Sequence, residues 1–305
     1  MTHIDVIAEI GSNHGGDLDQ AKRYIEASAK AGADVVKFQT LTREGLIARF
    51  VKGADGSVSE NPKFAAFGNA GLPDDWHAPL MACAADNGVE FMSTPFSLDA
   101  VELMESLGVK RYKIASGDLT FTPLLEALGA TGKRLILSSG ASYLDEVTTA
   151  VTTLTRSGCP HLTVLHCAAS YPPAWDDLNL SAITTLKKTL GLPVGLSDHS
   201  PGAMAPIAAA ALGAVVIEKH VTFDRATPGP DHPFAMEMDE LAAMIADLRN
   251  LEIALGDGDK KPAASEINRR RNLRRGRYDA ATGKPDDNGS DWLRPQHAPD
   301  DRAEL

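Results

Sequence analysis

Eight times along this chain a short β-branched apolar run gives way to a longer amphipathic stretch. The runs are Val6–Ile10, Val35–Phe38, Glu90–Met92, Arg111–Ala115, Arg134–Leu137, Leu162–Leu165, Val194–Leu196 and Val215–Ile217. Each is too short for a helix and is bounded by Gly, Pro or polar residues. The stretches between and after them, 18–31, 74–87, 98–107, 121–130, 142–157, 179–190, 202–212 and 238–254, have helical character. Asp17, Ser142 and Asp239 stand where N-caps belong, and Gly32, Gly88, Gly108, Gly158, Gly191 and Gly213 where helices should stop. Eight such units in series predict an α/β protein, a closed (β/α)8 TIM barrel over residues 1–257. An open nucleotide-binding sheet would want a G-x-G-x-x-G turn after its first strand. The sequence Gly11-Ser12-Asn13-His14-Gly15-Gly16 lacks that spacing and carries a histidine.

Two segments interrupt the alternation. Residues 42–72, rich in Gly, Ser and Asn, follow the second strand as a long loop, and residues 222–236 follow the eighth. Long loops at strand exits usually cover or line a site. Beyond the barrel, 258–278 reads as a basic helical extension and 279–305 as a polar, poorly ordered tail. The stretch 260–277 holds eight basic residues against Glu266 alone, so the rest is more acidic than the overall net charge of −11 suggests. A chain this acidic is a poor general binder of nucleic acid. Without an apolar run of about 18 residues it is not expected to span a membrane. The N-terminus shows no secretory pattern. Cys83, Cys159 and Cys167 match no metal or disulfide spacing, which favours a reducing cytoplasm.

Barrel enzymes build their sites at the C-terminal strand ends. There the chain places Glu9, then Lys37 and Gln39, then Ser93 and Thr94, then Lys113, Ser116 and Asp118. Ser138 and Ser139, His166 with Tyr171 beyond it, Ser197 to His199, and Glu218 to His220 follow on the later strands. A single buried lysine is as well explained by an ion pair, and a single strand-end histidine by a structural hydrogen bond. Polar groups at all eight strand ends predict a pocket, because burying them unpartnered costs a few kcal/mol each. Lys37 and Lys113 among hydroxyls suit a phosphate or carboxylate. His199 and His220, on neighbouring strands, have the chemistry to share one divalent ion. Glu9 is the candidate acid or base. Neighbouring strand residues point to opposite faces, so His166 and Cys167 cannot share a site, and Cys167 reads as core. His14 either lines the pocket or stabilises its glycine turn.

Several motifs resemble the sialic acid synthase family. They are Ile7-Ala8-Glu9-Ile10-Gly11-Ser12-Asn13-His14-Gly15-Gly16, Val35-Val36-Lys37-Phe38-Gln39-Thr40, Phe91-Met92-Ser93-Thr94-Pro95-Phe96-Ser97 and Tyr112-Lys113-Ile114-Ala115-Ser116-Gly117-Asp118. Leu137-Ser138-Ser139-Gly140, Leu165-His166-Cys167, Gly195-Leu196-Ser197-Asp198-His199-Ser200, Glu218-Lys219-His220 and Pro228-Gly229-Pro230-Asp231 complete the set. The resemblance spans roughly residues 4–257 in order. It implies a synthase that condenses phosphoenolpyruvate with an aldose into a 2-keto-3-deoxy sugar acid of sialic, legionaminic or pseudaminic type, releasing phosphate. It also implies a homodimer. By that resemblance Lys37, Thr94, Lys113, Ser116, Ser138, Tyr171 and Ser197 bind phosphoenolpyruvate, and Gln39, Asp118 and Asp231 meet the acceptor. Glu9, His199 and His220 are catalytic, the two histidines holding Mn²⁺ or, in its place, Mg²⁺, Co²⁺ or Zn²⁺.

Three departures stand out. Asp118 replaces the family's glutamate, Ala169 replaces an asparagine, and no C-terminal antifreeze-like domain is recognisable. Either the 269–277 arginines partly replace that domain or they form a solvated helix face. Two other functions compete: a pyruvate Schiff-base aldolase using Lys37 or Lys113, and a non-catalytic paralogue that binds phosphoenolpyruvate without releasing phosphate.

Overall fold

The computed structural model describes residues 3–65, 71–267 and 269–294. Eight parallel strands follow one another around a barrel: β1 Asp5–Glu9, β2 Val35–Thr40, β3 Glu90–Pro95, β4 Arg111–Ile114, β5 Arg134–Ser138, β6 His161–Cys167, β7 Val194–Asp198 and β8 Val216–Thr222. Each pairs with the next, and β1 pairs back onto β8 from Asp5↔Val216 to Glu9↔His220, closing the cylinder. A helix returns the chain after each strand: α1 Leu18–Ala31, α2 His77–Asp86, α3 Leu98–Ser106, α4 Thr122–Ala130, α5 Leu144–Arg156, α6 Ala182–Leu190, α7 Met204–Ala211 and α8 Met238–Ala254. The fold is therefore the (β/α)8 barrel that the alternation predicts.

Strand parity divides the interior into layers. Outward residues such as Val6, Ala8, Val36, Phe38, Leu137 and Val164 join the helices in the large core. Inward residues form a separate apolar layer of Ile7, Val35, Met92, Ile136, Leu165 and Val216. Below it, at the strands' N-terminal end, Arg111 donates to both Glu90 oxygens at 2.8 Å and to Asp5 Oδ2 at 2.7 Å. Above it lie Glu9, Lys37, Thr94, Lys113, Ser138, Ser197, Glu218 and His220, all buried. The dry layer excludes water from the middle of the barrel and forces the polar groups above it to face one mouth.

Helix ends follow their local chemistry. Asp17 caps α1 by accepting the Gln20 N–H, and Gly32 ends it in the left-handed conformation at φ 96°. Ser142 and Asp239, expected as caps, are not. The caps are Tyr143 and Glu237, whose N–H groups donate to Glu146 and Glu240 in capping boxes. Ser142 Oγ turns back to Gly140 O, and Asp239 lies within the first turn of α8.

The segment after β2 is more ordered than a plain loop. Arg43–Leu46 form one helical turn, and Phe50–Lys52 pair with Val58–Glu60 as an antiparallel hairpin. Arg43 stacks over Phe64 at 4.5 Å, an aromatic contact that a reading of Gly, Ser and Asn content passes over. After β8 comes a single 3-10 turn, His232–Phe234. Compact units span Met1–Leu255 and Gly256–Leu305. In the second, short helices at Ala264–Ile267 and Arg269–Leu273 precede an antiparallel pair, Gly276–Tyr278 with Asp291–Leu293. The expected polar tail thus contains a strand, and its part from 295 onward lies outside the described residues. No described helix is long and apolar enough to cross a membrane.

Gly195 sits on the inward face of β7 opposite Leu165. A Cβ there would lie 2.4 Å from Val216 O and 2.6 Å from Leu165 Cδ2. The Val216 carbonyl cannot move without shifting a strand, and the Leu165 side chain has only the packed apolar layer to move into. Gly195→Ala should therefore destabilise the protein by about 1–3 kcal/mol, the usual cost of overpacking, read as a lower urea midpoint with an unchanged m-value.

Candidate active site

The polar upper layer lines a cavity of about 530 Å³ at the C-terminal strand ends. Its floor is an ionic cluster. Lys37 Nζ lies 2.7 Å from Glu9 Oε2 and 3.8 Å from Glu218 Oε2, and Lys113 Nζ lies 3.4 Å from Glu218 Oε1. All four side chains are at most 5 % exposed. Gln39 Nε2 donates to Glu9 at 2.9 Å, Ser197 Oγ to Glu218 at 3.0 Å, and Lys37 to Thr94 Oγ1 at 3.2 Å. Two cations and two anions balance formally. That balance permits the burial, since an unpaired ion here would cost several kcal/mol.

The two carboxylates are pushed apart. Burial raises Glu9, partly offset by Lys37 and reinforced by the neighbouring negative Glu218. Burial also opposes ionisation of Glu218, but Lys113 and Lys37 outweigh it and hold this carboxyl below its usual range. Glu218 is thus a fixed counter-ion, while Glu9 can take up a proton, the split that assigns acid–base roles in paired-carboxylate sites. Burial alone would depress Lys37, yet Glu218 and Glu9 hold it charged; Lys113 is depressed by burial, with Glu218 opposing.

His199 and His220 face each other across the mouth with ring centroids 5.2 Å apart and planes at 52°. Phe234 presents its ring to both, at 5.9 and 5.1 Å, and Tyr171 lies 4.3 Å from His199. Burial, then the neighbouring His220, lowers His199 to about 3; burial also lowers His220, against the pull of Asp231. Both rings are therefore neutral, the form that binds metal. His199 Nδ1 lies 3.3 Å from Ala168 O, a backbone contact that leaves Nε2 free to coordinate. His220 Nδ1 is buried without a hydrogen-bond partner among the described residues and lies 3.9 Å from Asp231 Oδ2.

The remaining predicted site residues fall in three groups. Thr94, Ser116, Ser138, Tyr171 and Ser197 line the cavity with Glu9, Lys37, Gln39 and Lys113. Ser138 Oγ has no partner among the described residues, and Ser116 Oγ accepts the Gly140 N–H at 3.0 Å. Asp231 sits at the rim, where its Oδ2 accepts from Ser12 Oγ at 3.0 Å. Asp118 is outside the cavity lining, half-buried, with its carboxyl pushed up to about 6 by burial.

Three readings from sequence need amendment. Cys167 is not core: it lines the cavity 4.0 Å from His199 Nδ1, because its parity matches the inward Leu165. His14 is buried outside the lining and its Nδ1 accepts the Gly16 N–H, so it stabilises the turn. Glu218, placed by the sequence at a strand end but given no role of its own, holds the centre. The signal was available, since it shares strand parity with His220 and stands opposite Ser197. Elsewhere, His3, Asp5 and Asp34 approach one another at the opposite barrel end, where Arg111 and Arg249 already neutralise the carboxylates.

Known proteins align with this architecture. A profile described as the NeuB family matches residues 24–260. The N,N'-diacetyllegionaminic acid synthase of Legionella pneumophila is 39 % identical over 278 residues, covering 88 % of this chain and 78 % of that one. Human N-acetylneuraminate-9-phosphate synthase is 34 % identical over 271 residues, covering 86 % and 74 %. The crystal structure of a sialic acid synthetase from Leptospira borgpetersenii, in complex with citrate, superposes with a TM-score of 0.80 at 36 % identity, covering 88 % and 90 %.

Two outcomes test this geometry. Glu218→Gln removes the shared counter-ion and should cost about 3–5 kcal/mol in a denaturant titration, the range for breaking a buried ion pair. Burial also holds His14, His77, His199, His220 and His232 below their ordinary value. Their folded pKa values lie under the unfolded one, so the unfolded chain takes up protons first as pH falls. Stability is full above about pH 6.5 and is lost progressively below it. Thermal melts of chelator-treated protein should fall steeply between about pH 7 and about pH 5.

Proposed function

The chain belongs to the NeuB family of condensing synthases, and from that membership and the chemistry of the pocket we propose that it joins phosphoenolpyruvate to an aldose, forming a 2-keto-3-deoxy sugar acid and releasing phosphate. The observation that carries this reading is the convergence of Lys37, Lys113, Thr94, Ser116, Ser138 and Ser197 on the cavity that His199 and His220 also face. A trianionic donor needs cations and hydroxyl donors at close quarters. Ser138 Oγ, buried without a partner, is one such waiting donor.

The paired imidazoles fit a divalent ion. They are neutral, adjacent and sheltered by Phe234, and His220 Nδ1 is unpartnered among the described residues. His199 and His220 would hold Mn²⁺, or Mg²⁺, Co²⁺ or Zn²⁺ in its place, which would supply Lewis acidity toward the acceptor's aldehyde oxygen.

The chain's own residues account for the other steps. Lys37, Lys113 and the serines and threonine hold the donor's phosphate and carboxylate, so that its C3 faces the aldehyde carbon. The C2=C3 π electrons form the C3–C1 bond as the aldehyde C=O π bond opens onto its oxygen. Water then adds at the electron-poor C2, and Glu9, the carboxylate raised by burial, takes its proton. The C2 hydroxyl gives up its proton as the C2–O bond to phosphate breaks and leaves the ketone; of water's two protons one ends on the new alcohol and one on the phosphate. The lysines stabilise the charge that develops on the departing phosphate. Tyr171 and Phe234 keep bulk water from the imidazoles. Gln39 in the lining and Asp231 at the rim mark the acceptor side, and Asp118, outside the lining, would meet only the far end of an acceptor. Lys37 and Lys113 are the sole Lys or Arg side chains in the cavity lining among the described residues, and the donor's phosphate and carboxylate engage both. That engagement favours a neutral aldose over a sugar phosphate. Free thiols at Cys83, Cys159 and Cys167 suit a cytoplasmic enzyme, and we place it there as a homodimer.

One observation favours a second reading. Burial depresses Lys113, as a Schiff-base lysine requires. Its 3.4 Å contact with Glu218 argues the other way, because it stabilises the ammonium.

With phosphoenolpyruvate, Mn²⁺ and a panel of aldoses, the protein should release phosphate and yield the condensed acid by mass spectrometry. Binding of phosphoenolpyruvate without phosphate release would identify a non-catalytic paralogue instead. Glu9→Gln should lower kcat by about 100- to 10,000-fold, the range for a lost general base, with smaller changes in the KM for phosphoenolpyruvate. An aldose should outperform its 6-phosphate. Borohydride with pyruvate should trap no adduct; a covalent adduct on Lys113 would establish the aldolase.

A further inference from the structure

Behind the two imidazoles lies a buried ion pair that the proposed chemistry leaves unused. β7 and β8 pair so that Ser197 stands opposite Glu218 and Asp198 opposite Lys219. Alternation turns the first pair into the cavity and the second away from it. On the inner side Ser197 Oγ donates to Glu218 Oε1 at 3.0 Å. On the outer side Lys219 Nζ donates to Asp198 Oδ2 at 2.5 Å and also to Ser200 O. Asp198 Oδ1 in turn accepts the Ser200 N–H at 3.0 Å. One ammonium thus grips both residues that flank His199, and it does so from the residue that precedes His220. Lys219 and Asp198 are each 1 % exposed, and Ser200 is fully buried.

Stability is a weak reason for such a pair. Desolvating two ions costs several kcal/mol each, and well-packed apolar side chains of similar volume commonly serve a core as well or better. An ion pair does supply what apolar packing does not, namely direction. Its charged hydrogen bonds have a fixed length and aim, and here they tie the turn after β7 to the end of β8.

We infer that Lys219 and Asp198 are positioning residues that set the separation and aim of His199 and His220 as metal ligands. The inference rests on the reading of those imidazoles as a metal site. Neither residue touches the ion or the substrates. Their effect passes through the backbone at His199 and His220, much as hydrogen-bonded partners behind metal ligands tune affinity elsewhere.

The test is Mn²⁺ binding to the full-length chelator-treated protein, by calorimetry and by the Mn²⁺ paramagnetic resonance spectrum. The variants are the apolar pair Asp198→Leu with Lys219→Met, and the single change Asp198→Asn. The apolar pair should fold with a melting temperature at or above the parent's and bind Mn²⁺ about 10- to 100-fold more weakly, with an altered spectrum. Affinity for phosphoenolpyruvate alone should be retained, because the lysines and hydroxyls are untouched. A folded apolar pair that binds Mn²⁺ within about twofold of the parent, a change too small to signify lost ligand positioning, overturns the inference. Should the apolar pair not fold, Asp198→Asn decides. It keeps the side chain's shape and weakens the grip, so weaker Mn²⁺ binding supports the inference and unchanged binding overturns it. A parent protein that takes up no Mn²⁺ removes the metal reading itself, and the inference with it, an outcome distinct from equal binding by parent and variant.

Discussion

Glu218 lies between two ammonium groups inside a closed sheet, and the upper half of the barrel is arranged around that contact. Without this carboxylate, Lys37 and Lys113 would repel each other in a space that water barely enters. With it, Lys37 is held charged, the depression of Lys113 by burial is opposed, and the neighbouring Glu9 is left as the group whose proton can move. The apolar layer of Ile7, Val35, Met92, Ile136, Leu165 and Val216 makes the contact consequential. By keeping the cylinder dry below, it lowers the local dielectric and strengthens every interaction above.

Much of this was legible from residue order, because two periodicities do most of the placing. The period of the βα unit gave eight strands, and within each strand the period of two set which side chains meet. Glu9, Lys37, Lys113, Ser138, Ser197 and His220 share the inward parity and were found by type and position. Cys167 reads as core when alternation is applied with His166 facing the pocket, but the parity runs the other way: Cys167 follows Leu165 inward and His166 turns out to Leu178 O. Glu218 stands at its strand end beside Lys219 and His220, and residue type alone assigns a role to His220 and none to Glu218. Parity separates them, sending Glu218 and His220 into the cavity and Lys219 behind it. The caps at Tyr143 and Glu237 depend on a glutamate three residues later, so a search for Ser or Asp alone goes to the wrong residue. The hairpin after β2 is held by pairing and by arginine–aromatic stacking, which composition does not reveal.

The histidine pair shows how an apolar environment can prepare polar chemistry. Phe234 and Tyr171 contribute no charge, yet their rings remove water from the imidazoles and so favour the neutral form of both. The ligand form is thereby present before any ion arrives, and binding need not displace a proton.

Closure of the cylinder has a further consequence for synthesis. The edge of β1 that finally pairs with β8 finds its partner only when Val216–Thr222 has been made. For most of translation the nascent chain therefore carries an unsatisfied strand edge flanked by Val6, Ile7 and Ala8. Such edges recruit other chains. Glu9 and His220 pair with each other at the C-terminal end of that last seam. The step that assembles the catalytic mouth is thus the same step that removes the nascent chain's greatest liability to aggregation.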